Sequence, residues 1–127
     1  MAGALYCDVD YFRFLYQLEK RRSLRTQSAN FLGLITVSGL KQPLTDSETE
    51  ATMQQLTQVL QLSLRKGDVF AWWNNNQILL LLAARQEEDL SVITQRLRSR
   101  FQEVTSQAKA NIKIRFQSLT QENSFLN

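Results

Sequence analysis

The chain of 127 residues has no histidine, one cysteine, one proline and only four glycines. Without histidine it lacks the usual general base and the commonest soft metal ligand, which excludes Ser-His-Asp chemistry and structural zinc. Cys7 is alone and has no partner for an internal disulfide; a small core residue is the expected role. No apolar run approaches the roughly 18 residues that span a bilayer. The opening MAGALYCDVDYF is too acidic, and too short in its apolar part, for a signal peptide. The expectation is therefore a cytoplasmic protein with no membrane association. Scarce glycine and proline together with 43% hydrophobic residues describe one ordinary globular domain over residues 1–127, large enough for a real core. A net charge of +3 favours solubility and is only a weak argument for a nucleic-acid surface.

What is present is organised around Arg65 to Leu82, RKGDVFAWWNNNQILLLL. Val69 to Trp73 and Ile78 to Leu82 are apolar and aromatic runs flanking Asn74-Asn75-Asn76, which predicts a β-hairpin whose asparagines supply left-handed turn backbone. Upstream, Gly67 after Arg65 and Lys66 carries the signature of a helix stop.

Along the chain, Asp8 or Asp10 can cap a helix over about 8–26 that buries Tyr11, Leu15 and Leu18, with Phe12, Phe14 and Tyr16 widening the face. That helix ends in Lys20, Arg21, Arg22 and Arg25, which could form a partner-binding patch, although the helix dipole favours cations there without any ligand. Phe31 to Ser38, FLGLITVS, is β-branched and almost continuously apolar, as a strand covered on both faces requires. After a loop over Gly39 to Leu44, Thr45 with Glu48 and Ser47 with Glu50 have capping-box spacing. They start a helix to about Lys66 that buries Met53, Leu56, Val59, Leu60 and Leu64.

Glu87, Glu88 and Asp89 load the start of another helix, with Leu90, Ile93, Leu97, Phe101 and Val104 at steps of three and four. Its Arg96, Arg98 and Arg100 fall on different sides and form no single stripe for DNA. Finally Ile112, Ile114 and Phe116 alternate with Lys113, Arg115 and Gln117, a half-exposed strand. The order predicts an α/β (α+β) fold, a ferredoxin-like βαββαβ sheet over about 30–120 with both helices on one face and an added N-terminal helix.

On these residues the chain resembles the GGDEF family, the diguanylate cyclases. Glu19 to Arg25 are similar to the family's charged first helix, Phe31 to Ser38 to its first strand, and Arg65 to Leu82 to its Arg-x-Gly-Asp, strand, signature turn and apolar strand. In register, Asn74, Asn75, Asn76, Gln77 and Ile78 stand at the Gly-Gly-Asp-Glu-Phe positions. The resemblance implies two catalytic metal ions held by carboxylates at the end of the first strand and in the turn. Here the segment from Ala29 to Thr45 has no acid, the turn holds three asparagines and a glutamine, and the loop at Gly39 to Leu44 is short. The expectation is a degenerate domain with no enzymatic activity, no catalytic residues, no metal and no cofactor.

The stretches Cys7-Asp8, Tyr11-Phe12, YQLEKRR from Tyr16 and SLRKGD from Ser63 further resemble a degenerate domain at the C-terminal end of bacterial transcriptional activators that carry a bacterial transcriptional activation domain. That likeness implies a regulatory role. Partners would be another protein or other domains of the same regulator, DNA would be reached only through an upstream domain, and a homodimer is open. Arg65 and Asp68 also stand where the family keeps its Arg-x-x-Asp inhibitory site, so the alternative is a cyclic di-GMP sensor. A plain helix-to-strand junction accounts for the same two residues.

Overall fold

A computed structural model describes residues 3–26, 29–105, 109–120 and 126. In chain order the elements are β1 (Leu5–Tyr6), α1 (Val9–Thr26), β2 (Phe31–Gly39), α2 (Asp46–Ser63), β3 (Val69–Asn74), β4 (Gln77–Leu82), α3 (Asp89–Val104) and β5 (Ala110–Ser118). The sheet runs β1-β3-β4-β2-β5, all pairs antiparallel except β1 with β3. Leaving β1 aside, this is the split βαββαβ arrangement expected from the sequence. The two-residue β1 was not foreseen, because Leu5 and Tyr6 give no periodicity; their amide partners on β3 define them.

Period-two alternation sorts the strands onto two faces. Ile35, Val37, Phe70, Ile78, Leu80, Leu82 and Ile112 pack under α2 and α3, against Met53, Leu56, Leu60, Ile93, Leu97 and Phe101. Leu32, Leu34, Val69, Ala71, Leu79 and Leu81 face the other way and pack against Phe12 and Tyr16 of α1. The result is three layers, with β2 and β4 buried on both sides. Each such large side chain taken from water stabilises the fold by roughly 1.5–3 kcal/mol.

Several local expectations are corrected. In α1 the inward stripe is Phe12, Tyr16 and Ser23, so Phe12 and Tyr16, expected at the edge of the buried face, are its centre; Tyr11, Phe14 and Leu18 are exposed and Leu15 is half-buried. Phe12, Tyr16 and Ser23 also obey helical spacing, and only the sheet beneath decides between the two stripes. Asp8 is the residue that caps, accepting from the Tyr11 N–H at 2.9 Å.

At α2 the capping box of Thr45 and Glu48 is present in both directions, and the helix ends at Ser63. Gly67 therefore caps no helix. It serves a positive φ of 103° in the junction after Leu64, a conformation open to glycine without penalty. Gly39 is required by proximity, because a Cβ there would lie 1.8 Å from the Gln42 carbonyl oxygen. In α3, Glu87 and Glu88 precede the helix and Val104 is exposed.

Candidate functional site

The hairpin forms, but its asparagines work differently from the expectation. Asn75 and Asn76 make the two-residue turn, and neither has a positive φ; among the described non-glycine residues only Ala84 does. A register shift between Trp72 and Asn74 absorbs the strand twist. The asparagine side chains tie the turn instead. Asn74 Oδ1 accepts from the Asn76 N–H at 3.1 Å, the Asx arrangement that mimics a backbone turn, and Asn74 Nδ2 donates to Gln77 Oε1 at 2.7 Å.

Two further bonds fasten the turn to the end of β2. Asn76 Nδ2 donates to the Val37 carbonyl at 3.2 Å, beside a backbone bond from the Val37 N–H to the Asn76 carbonyl at 2.8 Å. Gln77 Nε2 donates to the Thr36 hydroxyl at 3.0 Å. Next to this knot opens a cleft of about 630 Å³, walled by the Val37 to Leu44 stretch, the start of α2 at Asp46 and Thr49, and Asn75 with Asn76. Asp46 is the sole carboxylate on its wall and Lys41 the sole cation. Trp72 and Trp73 lie half-buried on opposite faces, and the Trp72 indole N–H donates to the Thr57 hydroxyl at 2.9 Å.

Arg65 and Asp68 lie at the other end of the hairpin. The structure brings them to one junction and turns both toward the protein. The Arg65 guanidinium donates to the carbonyls of Ala83 at 2.9 Å and Ala84 at 2.8 Å. Asp68 is 1% exposed. Its carboxylate accepts from the Arg65 N–H at 3.1 Å and the Ala83 N–H at 3.3 Å, and is ion-paired with Arg85. Arg85 is itself buried, with its Nε making no hydrogen bond. The adjacent Ala84 takes its positive φ of 53° while donating its N–H to Asn30 Oδ1 at 2.8 Å.

Arg85, Asn30 and Thr36 are the working residues that sequence reasoning missed. None sits in a motif, and the contacts given above join them to partners 17 to 54 positions away in sequence. Cys7 is half-buried, and burial with the neighbouring Asp8 charge raises its thiol pKa above the ordinary value, consistent with packing and not reactivity. Arg98, expected on a solvated surface, donates to the Ile112 carbonyl at 2.6 Å and so ties α3 to β5. No described helix is long and apolar enough to cross a membrane.

A sheet in this order, flanked by a crossover helix pair and carrying a cleft where the central hairpin turn meets the neighbouring strand, defines a nucleotide-cyclase-like scaffold. The family model described as diguanylate cyclase, GGDEF domain, matches residues 20–121, and the chain belongs to the GGDEF family. Solved structures agree on the fold. A DGC protein from Thermotoga maritima superposes with a TM-score of 0.75 at 12% identity, covering 95% of this chain and 86% of that one.

Two structures from Pseudomonas aeruginosa are also similar. Diguanylate cyclase SiaD, solved in complex with its activator SiaC, gives 0.70 at 14% identity, with 90% of this chain and 48% of that one covered. The GGDEF domain of YfiN, also called TpbB, gives 0.66 at 13% identity, with 91% and 76% covered. A sequence comparison with curated proteins finds no match.

The residues at the turn and the end of β2 do not suit the divalent cations that the family's chemistry uses. Hard cations of that kind take oxygen ligands, carboxylates above all. Here the groups aimed at Thr36 and Val37 are N–H donors of two amides, and an N–H donor repels a cation. Among the described residues no three Asp, Glu, Cys or His side chains come together as a metal group.

Proposed function

We propose that this GGDEF domain is non-catalytic and acts as a regulatory or protein-interaction module, the C-terminal part of a bacterial transcriptional activator. The observation that carries this reading is the pair of amide bonds, Gln77 to Thr36 and Asn76 to Val37. They consume, with neutral groups, the acceptors at the strand end where the reaction needs a charged metal site. An Asn-rich turn also brings side chains where phosphates need close backbone approach. The fold is nevertheless intact, and SiaD, a relative in fold, is a GGDEF protein held by a protein activator. A scaffold kept without its charges is suited to being recognised. In such a regulator DNA is read by a different domain.

The decisive experiment is turnover. With GTP and magnesium or manganese, at enzyme concentrations of tens of micromolar, no cyclic di-GMP is expected; a product peak removes the proposal. The second reading, a cyclic di-GMP sensor through Arg65 and Asp68, has an exposed Arg65 in its favour. Against it, Asp68 is already engaged by three donors and shielded from solvent. Calorimetry with cyclic di-GMP distinguishes the two: heat that disappears in Arg65→Ala supports the sensor, and a flat trace dismisses it.

A further inference from the structure

The outer side of α1 carries a stripe that the fold leaves uncovered. Tyr11, Phe14 and Leu18 are exposed by 47%, 60% and 38%. Their spacing of three and four places them along one side of the helix, opposite Phe12, Tyr16 and Ser23, which face the sheet. Tyr11 and Phe14 already stack on each other, with ring centroids 6.3 Å apart. The other exposed large apolar residues are dispersed: Leu5 and Tyr6 on the short edge strand β1, Leu24 on a different side of α1, Leu40 in the loop after β2, Leu62 on α2, and Val92 and Val104 twelve positions apart on α3, which is ordinary for a protein surface. Three on consecutive turns of one helix are a patch, and such a patch marks an interaction surface.

Charge says what fits it. Asp10 stands at the N-terminal end of the stripe, and Arg21 and Arg25 at its C-terminal end, all exposed. Asp10 and Arg21 are eleven positions apart, about three full turns, so they flank Phe14 on the same side of the helix, within about 20° of one another. Neither has an ion-pair partner within the chain among the described residues.

A helix that is negative at one end and positive at the other, with an apolar middle, is complementary to itself reversed. We propose that α1 docks against α1 of a second copy, antiparallel, about a two-fold axis near residue 16. Phe14 then meets Leu18 of the partner copy, Asp10 meets Arg21 at both ends, and Tyr11 lies beside Arg22. A two-fold contact satisfies both ends with one surface, as isologous interfaces do. An unrelated partner would need a charge order that nothing in this chain specifies. The surface is on the opposite side of the sheet from α2 and α3, so the inference does not depend on whether the cleft turns over nucleotide.

One 18-residue helix is about 27 Å long, so the contact belongs to the small, weak class of interfaces, under about 1,200 Å² in total. Sedimentation equilibrium on the 127-residue chain, from about 5 to 500 µM at low salt, is expected to show a weight-average mass rising from 14.7 kDa toward twice that value, and falling back when salt screens the end pairs. Phe14→Glu is expected to remain a monomer throughout. Asp10→Lys and Arg21→Glu are each expected to weaken association at least tenfold, and the double exchange Asp10→Lys/Arg21→Glu to restore it, since the pair is only reversed.

All three positions are solvent-exposed, so unchanged circular dichroism and melting confirm that the variants fold. A chain that stays monomeric at the highest concentration overturns the proposal. So does a dimer that survives Phe14→Glu, or singles that weaken with no recovery in the double exchange.

Discussion

At its turn the β3–β4 hairpin is fastened to β2 by neutral amides, whereas at its base it is held by a buried ion pair. The turn knot lies beside an open cleft, and its members Asn74 and Asn75 are exposed. At the base, Asp68 and its partner Arg85 are buried, while Arg65 reaches them from the exposed rim. Charge is thus buried at the base of the hairpin, while the turn is fastened by neutral groups. A buried ion is tolerated only when its partner and its hydrogen bonds are all in place. An amide network asks less, because each of its members is neutral and can be exchanged with water at little cost.

The sharpest way to break this contrast is at the base. Asp68→Ala strands the buried Arg85 guanidinium and leaves the Arg65 and Ala83 N–H groups without acceptors. Removing one partner of a buried pair costs about 3–5 kcal/mol, read as a lower midpoint in urea. Asp68→Ala/Arg85→Met is expected to recover part of that loss, because no unpaired charge remains. If the single variant unfolds no earlier than wild type, the base is not held by charge.

Next in size is the cleft wall. Gly39→Ala puts a methyl group 1.8 Å from the Gln42 carbonyl oxygen, so the loop has to move. Forced overpacking of this sort costs roughly 1–3 kcal/mol, measurable by denaturation, and the cleft beside the turn should change shape with it.

The contrast can be sharpened by placing carboxylates at the turn. Thr36→Asp/Gln77→Glu places two carboxylates where hydroxyl and amide now bond, and their repulsion should lower the melting temperature in chelator. Magnesium or manganese should then raise it: tenfold excess over the dissociation constant is worth about 1.4 kcal/mol. Wild type is expected to show no such metal-dependent rise. Equal responses from the two proteins would mean that wild type already holds a cation there.

Ala84→Gly tests the strain stored beside the base. A left-handed conformation costs a non-glycine residue about 1 kcal/mol, so the variant is expected to gain up to that much, less the extra entropy of glycine when unfolded. The smallest effect belongs to Glu48. Its carboxyl is held below the ordinary value chiefly by the hydrogen bond from the Thr45 backbone, with the Thr45 hydroxyl contact and the Lys109 charge adding to it. A lowered native value means that the capping contribution is complete above the ordinary carboxylate range and is lost as pH falls through the folded value. Melting followed by circular dichroism should show that loss on acidification, and Glu48→Gln should remove this part of the pH dependence.

Periodicity alone determined a great deal here. The hairpin runs, the Thr45–Glu48 box and the alternation of Ile112, Ile114 and Phe116 are local signals, written within a few residues and visible without a partner. The absence of any acid from Asn74 to Gln77 was legible in the same way, since composition is a property of the string. Only tertiary structure could decide which stripe of α1 faces inward, because both candidates satisfy helical spacing and the sheet alone distinguishes them. It also decided that Asp68 serves Arg85, that Asn76 and Gln77 serve Val37 and Thr36, and that Leu5 and Tyr6 form a strand at all. Those contacts join positions far apart in the chain, and a sequence carries no record of which distant groups will share a hydrogen bond once the core has closed.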